Sequence, residues 1–400
     1  MSPASAGAAP RVTDAGPGLL DALALLAQVA DELVVQTTRD THLAVADRVH
    51  GLVRRGTGGA SLVPELVHRG VASAVYGGLG MGLRAASRGL EHAAAVGAGP
   101  RLEDHVRGRF LSAAVNGLIG DRLVRERPRL AISMAVRSGG RDIAIEPEAL
   151  AAAFPRPTSR LVVLLHGLCE NEGHWQRHRA ELGTTYGEAL AEQGWTPVHL
   201  RANTGLGLRQ NGVELAALLR HLVAAWPGGV TRIALVGHSM GGLVMRAAGA
   251  VATPDDERPW RSLVTDVVTL GTPHLGAPIA RGVGHGSRGM ACFAETSAFG
   301  RILDQRSVGV RDLVAGLAED VEPLPHARYH LVAATVTASP RHPVGRFVGD
   351  GLVRVPSAYG RDRYGVELFP GADLLHLART GHFGLLNHPG VHRALREWLA

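Results

Sequence analysis

The strongest constraint on how this chain folds is a recurring switch of hydrophobic period between residues 160 and 337. The segment "RLVVLLHG" (160–167) is an unbroken apolar run of the kind found in a strand covered on both faces of a parallel sheet. The runs "TPVHLRAN", "RIALVG", "VTDVVTLGTP" and "RYHLVAATV" follow it as further strands. Between them, Leu215, Leu218, Leu219, Leu222, Val223 and Trp226 line one face of a helix. Strands that alternate with helices are joined by right-handed crossovers, so the expected architecture is α/β: a mostly parallel sheet with helices on both faces. Ahead of it, "RLAISMAVRSGGRDIAIEP" (129–147) alternates apolar and polar residues on either side of "SGGR" and reads as a β-hairpin, while "GVHRALREWLA" closes the sequence as a helix.

The first third of the chain has a different period. Residues 1–17, rich in Ala, Gly, Pro and Ser, read as a flexible N-terminus, and residues 18–127 read as a helical region. In that region apolar residues recur at helical spacing from Leu19 to Arg55, and "GTGGAS" (56–61) interrupts them. The Gly- and Ala-rich run up to residue 99 is expected to form closely packed small-residue helices, and a further helix is expected over about 102–126. Residues 128–400 then form the α/β domain. More than 50 residues separate Thr272 from Tyr329. A plain loop of that length is uncommon, so a lid insertion is expected over about 276–326.

Composition narrows the classes. With 46% hydrophobic and 20% charged residues the chain is a globular one. It has no lysine, so all 42 basic residues are arginine, and the net charge of +6 is scattered along the sequence; a nucleic-acid partner is not expected. Cys169 and Cys292 stand far apart with no second ligand pair near either, which indicates neither a disulfide framework nor a zinc site; no metal is expected. The beginning of the sequence lacks a basic stretch ahead of its apolar run, Asp21 interrupts that run, and nowhere do about 18 apolar residues follow one another. A cytoplasmic protein is expected, with peripheral contact between the N-terminal helices and a membrane as an open alternative.

Chemistry concentrates at "LVGHSMGGLV" (235–244). Ser239 lies between a strand and a helix, and the glycines at 237 and 241 let the chain turn sharply where a Cβ would crowd it. A serine so held has its hydroxyl facing outward as a nucleophile. The backbone N–H of Met240, at the start of the helix, is one expected oxyanion donor. The second is the N–H of Leu168, because His166–Gly167 ends a buried strand at the same edge of the sheet. His166 reads as a loop-ordering residue, and Asn171, Glu172 and Trp175 are candidates for facing the pocket. "GRFVGDGLV" places Asp350 after a late strand, and "RTGHFGLLNHP" places His382 just before the last helix. Among rival bases, His376 and His388 read as surface or helix-end residues. Among rival acids, Asp373 is too near the base, Asp266 lies at a strand's entry, and Asp304, Asp312 and Asp320 fall in the expected lid. "GHGSRG" (284–289) mimics the serine motif but has no strand before it. The order Ser239, Asp350, His382 is nucleophile, acid, base.

The motifs "HGL", "GHSMGG", "LGTPHLGAP", "GDGLV" and "GHFGLLNHP", in this order, resemble those of the serine α/β-hydrolase superfamily of the lipase and esterase type, in particular the branch with triacylglycerol lipases and GPI inositol-deacylase-like proteins. The resemblance covers about residues 128–400. It implies the α/β-hydrolase fold, no cofactor, and hydrolysis of acyl or lipid esters through an acyl-enzyme on Ser239. It also implies that "LGTPHLGAP" leads from a central strand into the lid. The N-terminal helices have no counterpart in small lipases, and no calcium-site signature is evident. A thioesterase or acyltransferase shares this chemistry with a different acyl group or acceptor. A non-catalytic scaffold on the same fold is the alternative from another class.

Overall fold

The computed structural model describes residues 18–57, 62–251, 260–277, 307–317 and 321–400. Eight strands form one sheet: β1 (Ala135–Ser138), β2 (Arg141–Ile143), β3 (Arg160–Leu165), β4 (Thr196–Arg201), β5 (Arg232–His238), β6 (Val264–Leu270), β7 (Arg328–Thr335) and β8 (Asp373–Ala378). Their order is β2-β1-β4-β3-β5-β6-β7-β8. The hairpin β1–β2 turns at Gly139 and Gly140, and β1 runs antiparallel to β4; every other pairing is parallel. This is the α/β-hydrolase fold.

The period of two along β3 explains how the sheet is covered on both sides. Leu161, Val163 and Leu165 point to one face and Val162 and Leu164 to the other, and all five are buried. The first set joins a core with Leu215, Leu219 and Leu222 of α8 (Leu208–Ala225) and Leu243 and Val244 of α9 (Met240–Gly249). The second joins Tyr186 and Leu190 of α7 (Tyr186–Ala191) and Val391 and Leu395 of α13 (Pro389–Trp398). The shorter helices α5 (Pro147–Ala153), α6 (Arg179–Leu182), α10 (Val308–Ala315), α11 (Pro343–Val348) and α12 (Val355–Ala358) lie in the connections.

Strand β8 was not anticipated. Its sequence "DLLHLA" has a partly exposed, edge-strand burial pattern in place of the continuous burial of β3, and only its parallel pairing with β7 makes it a strand. Of the expected lid, residues 278–306 and 318–320 lie outside the described residues, and with them Asp304, Asp320, Cys292 and the "GHGSRG" decoy. The part described includes α10, whose Asp312 accepts the Leu208 N–H at 2.8 Å, so that this carboxylate caps α8.

The N-terminal helices are α1 (Leu19–Val29), continued through a π-helical segment (Ala30–Val35) into α2 (Gln36–Thr57), then α3 (Leu62–Ala95) and α4 (Val106–Glu126). The Gly- and Ala-rich run is a single 34-residue helix and not several packed ones. It packs on one side only: a Cβ at Gly80 would lie 2.5 Å from Asp31, whereas Gly70, Gly77, Gly78, Gly82 and Gly89 face open space. By contrast, α4 packs directly on the segments that follow β3 and β4. A Cβ at Gly117 would collide with the Cys169 thiol, and at Gly120 with Asn203. The helix kinks at Ile119, where the Leu118 carbonyl accepts the Ser307 N–H at 3.0 Å and the Arg122 N–H turns to Asp121. An intruding partner has thus broken one step of the helical ladder.

Candidate active site

Ser239 lies where β5 ends and α9 begins, at φ 51° and ψ −120°, a conformation that costs a non-glycine residue of order 1–3 kcal/mol. Its surroundings leave it no other. A Cβ on Gly237 would come within 2.5 Å of the Gly242 nitrogen, and one on Gly241 would collide with the Leu165 carbonyl, so α9 seats itself directly against the ends of β3 and β5. The Ser239 N–H donates to the Leu270 carbonyl of β6 at 2.8 Å, which fastens the turn to the neighbouring strand.

Asp350 and His382 meet beside it. His382 Nδ1 lies 2.7 Å from Asp350 Oδ2, and both side chains are buried. The other oxygen, Asp350 Oδ1, accepts the N–H groups of Leu352 (2.9 Å) and Val353 (2.8 Å), and the Asp350 carbonyl accepts the His382 N–H at 2.9 Å. The carboxylate is thereby fixed in orientation, and it accepts the Nδ1 proton. That tautomer leaves a lone pair on His382 Nε2. The turn at Gly271 links this pair to the serine: a Cβ there would sit 3.1 Å from Asp350 Oδ2 and 3.2 Å from His382 Cε1, one residue beyond the carbonyl that holds Ser239.

Gly167 closes the other side, where a Cβ would stand 2.9 Å from Ser239 Cβ. Leu168 follows it, and among the described residues its N–H meets no backbone acceptor. Met240 is the first residue of α9, and N–H groups in a first helical turn have no intrahelical acceptor. Among the described residues no group of three or more His, Cys, Asp or Glu side chains is placed to hold a metal ion.

The other candidates are engaged elsewhere. His166 accepts the Ala202 N–H at Nε2 (3.1 Å) and hence donates through Nδ1 to the Gly167 carbonyl (2.9 Å); burial keeps its pKa below the usual histidine value, so it orders the loop as a neutral ring. The three loop residues that were candidates for facing a pocket have partners of their own. Asn171 caps the 3-10 turn Glu172–Gln176, Glu172 pairs with Arg137 at 2.9 Å, and Trp175 is buried in the core. His376 contacts Thr335 Oγ1 at 3.1 Å, and His388 caps α13. Asp373 pairs with His330 at 2.8 Å, and Asp266 takes Arg232, Arg328 and His330 at the opposite end of the strands. Sequence reasoning passed over two buried groups beside the serine, Glu170 and His238. The only local sign of them was their place within "HGLCE" and "GHS".

The family model described as "Putative serine esterase (DUF676)" matches residues 156–302. A triacylglycerol lipase from Burkholderia plantarii is 29% identical over 161 residues, 38% of this chain and 40% of its own length. One from Pseudarthrobacter phenanthrenivorans is 39% identical over 74 residues, 18% of this chain and 20% of its own. The chain therefore spans less than half the length of the curated relatives it matches. Among solved structures, the mature lipase BlEst2 of Bacillus licheniformis is 21% identical with a TM-score of 0.41, covering 61% of this chain and 92% of that one. Lipase 1 of Pelosinus fermentans is 18% identical with a TM-score of 0.37, covering 60% and 98%. Over its matched part the chain is thus similar to serine esterases and triacylglycerol lipases.

Proposed function

We propose that this protein is a carboxylic ester hydrolase that cleaves acyl or lipid esters through an acyl-enzyme on Ser239. The observation that carries the reading is the 2.7 Å contact between His382 and Asp350 next to a serine held in a strained turn. In the first step His382 Nε2 takes the hydroxyl proton as Ser239 Oγ attacks the ester carbonyl. Asp350, accepting the Nδ1 proton, stabilises the imidazolium that forms. The N–H groups of Leu168 and Met240 receive the oxyanion, and His382 then protonates the departing alcohol. Water repeats the cycle on the acyl-enzyme and releases the acid. Removal of one oxyanion donor costs about 10² to 10³ in rate in enzymes of this kind, which is why the rigidity of both turns matters.

The triacylglycerol lipases among the relatives support an acyl ester as substrate. A lipid source for that ester is in keeping with α3, whose outer side exposes Val63, Leu66, Val67, Val71 and Val75, each by more than half; a lipid surface would cover such a face. The test is Ser239→Ala with p-nitrophenyl acyl esters. Turnover is expected to vanish while the fold is retained, and unchanged turnover rejects the assignment.

A further inference from the structure

The steps above leave unused a carboxylate and an imidazole that lie against the site. Glu170 Oε2 accepts the Gly167 N–H at 2.7 Å and lies 2.9 Å from His238 Nδ1. On the far side of the same ring, His238 Nε2 faces the His382 carbonyl at 3.3 Å. Both ring nitrogens therefore look at oxygen acceptors. A neutral imidazole has one N–H and can satisfy one of them; the imidazolium satisfies both. Glu170 and His238 are 3% and 0% exposed, and a charge so deeply buried persists only when paired.

The place of the pair in the fold suggests what it does. His238 immediately precedes Ser239, and its ring lies beside that of His382, tilted by 43°, with centroids 4.8 Å apart. Gly167 immediately precedes Leu168. One carboxylate and one ring thus connect the end of β5, the turn after β3 and the loop before α13, which carry the serine, one oxyanion donor and the base.

We propose that Glu170 and protonated His238 form a buried ion pair that positions the oxyanion turn and the His382 loop about Ser239. The inference rests on the hydrolytic reading above only for its effect on rate. The remaining titratable groups facing the pair are His166 and Cys169 from the turn after β3, His174 from the 3-10 turn, Asp350 and His382 itself. Burial alone would raise the Glu170 pKa and lower that of His238. Their mutual attraction outweighs it on both sides, holding Glu170 at about 2 and His238 above its ordinary value.

Glu170→Gln is the informative change, because the amide oxygen can still accept from Gly167 and His238 while the charge is gone. Without its counterion His238 gives up the Nε2 proton near neutral pH, and a lone pair then faces the His382 carbonyl. Expected are a kcat lower by about 10- to 100-fold with KM little changed, the scale of a small misplacement of catalytic groups, and a kcat optimum moved to lower pH, where Nε2 is protonated again. A folded variant with the wild-type pH profile overturns the proposal, since a packing role alone would leave that profile in place. A second measurement does not depend on how the variant folds. In wild-type protein carrying ¹⁵N-labelled histidine, with the His238 signals assigned by His238→Asn, both ring nitrogens should report bound protons from pH 6 to 8. A neutral His238 ring at pH 7 refutes the ion pair whatever the protein hydrolyses. An imidazolium there in a protein that turns over no ester would reject the hydrolytic reading and leave the ion pair standing.

Discussion

Asn387→Ala tests whether the loop that carries His382 is held as the hydrogen bonds indicate. Asn387 lies five residues after His382, is 1% exposed, and sits at φ 57°, the left-handed region in which asparagine is among the better tolerated side chains. Its Nδ2 donates to the carbonyls of Trp175 (2.8 Å) and Arg177 (2.7 Å), and its Oδ1 accepts the Tyr186 N–H (2.8 Å). Beside it the Tyr186 hydroxyl donates to the Leu385 carbonyl (2.6 Å) and accepts the His388 N–H (2.7 Å). Alanine leaves a buried N–H without an acceptor, at about 1–3 kcal/mol. It also strands two carbonyls and gives a residue less suited to the left-handed region, which adds about 1–2 kcal/mol. The expected loss is about 2–5 kcal/mol, a large part of the 5–15 kcal/mol that stabilises an ordinary domain. Urea unfolding at pH 7 measures it. Asn387→Gly should recover only the backbone share, and Asn387→Asp, which sets an oxygen against two carbonyl oxygens, should fare no better than alanine. An alanine variant within 1 kcal/mol of wild type, or an aspartate variant as stable as wild type, would refute the reasoning.

Two other outcomes follow from features away from Ser239, Asp350 and His382. Burial holds the His199 pKa down to about 4 and that of His274 to about 3, so between pH 6.5 and those values the unfolded chain binds protons that the folded one does not. Stability should fall as pH is lowered through that window, by about 3 kcal/mol for His199 alone; urea midpoints at pH 7 and 5 for wild type and His199→Gln check this, and equal acid sensitivity in both would count against it. The exposed apolar side of α3 is expected to carry the protein to the top of a sucrose gradient with anionic liposomes, and Val67→Asp with Val71→Asp to leave it at the bottom; flotation that the double variant retains would remove α3 as the contact.

The parts of this protein that could be read from the chain are those set by neighbours close in sequence. The serine turn needs a strand, two glycines four residues apart and a helix start, and all of them lie within ten residues. The parallel sheet declares itself through β3, buried on both faces and hence apolar at every position from Leu161 to Leu165, whereas β8 escapes notice because an edge strand need not be apolar on both sides. The partners of the loop after β3 are non-local as well: Glu172 is held by Arg137, from a strand 35 residues earlier.

Residue types and their order along the chain were enough to determine the α/β class and the strand–turn–helix around Ser239. The tertiary structure alone decided which groups touch. Asp350 reaches His382 across 32 residues because β7 and β8 pair side by side, and Glu170 reaches His238 across 68 because β3 and β5 do. Contacts between distant residues depend on strand register and on helices closing against the sheet, and no local pattern of side chains encodes either.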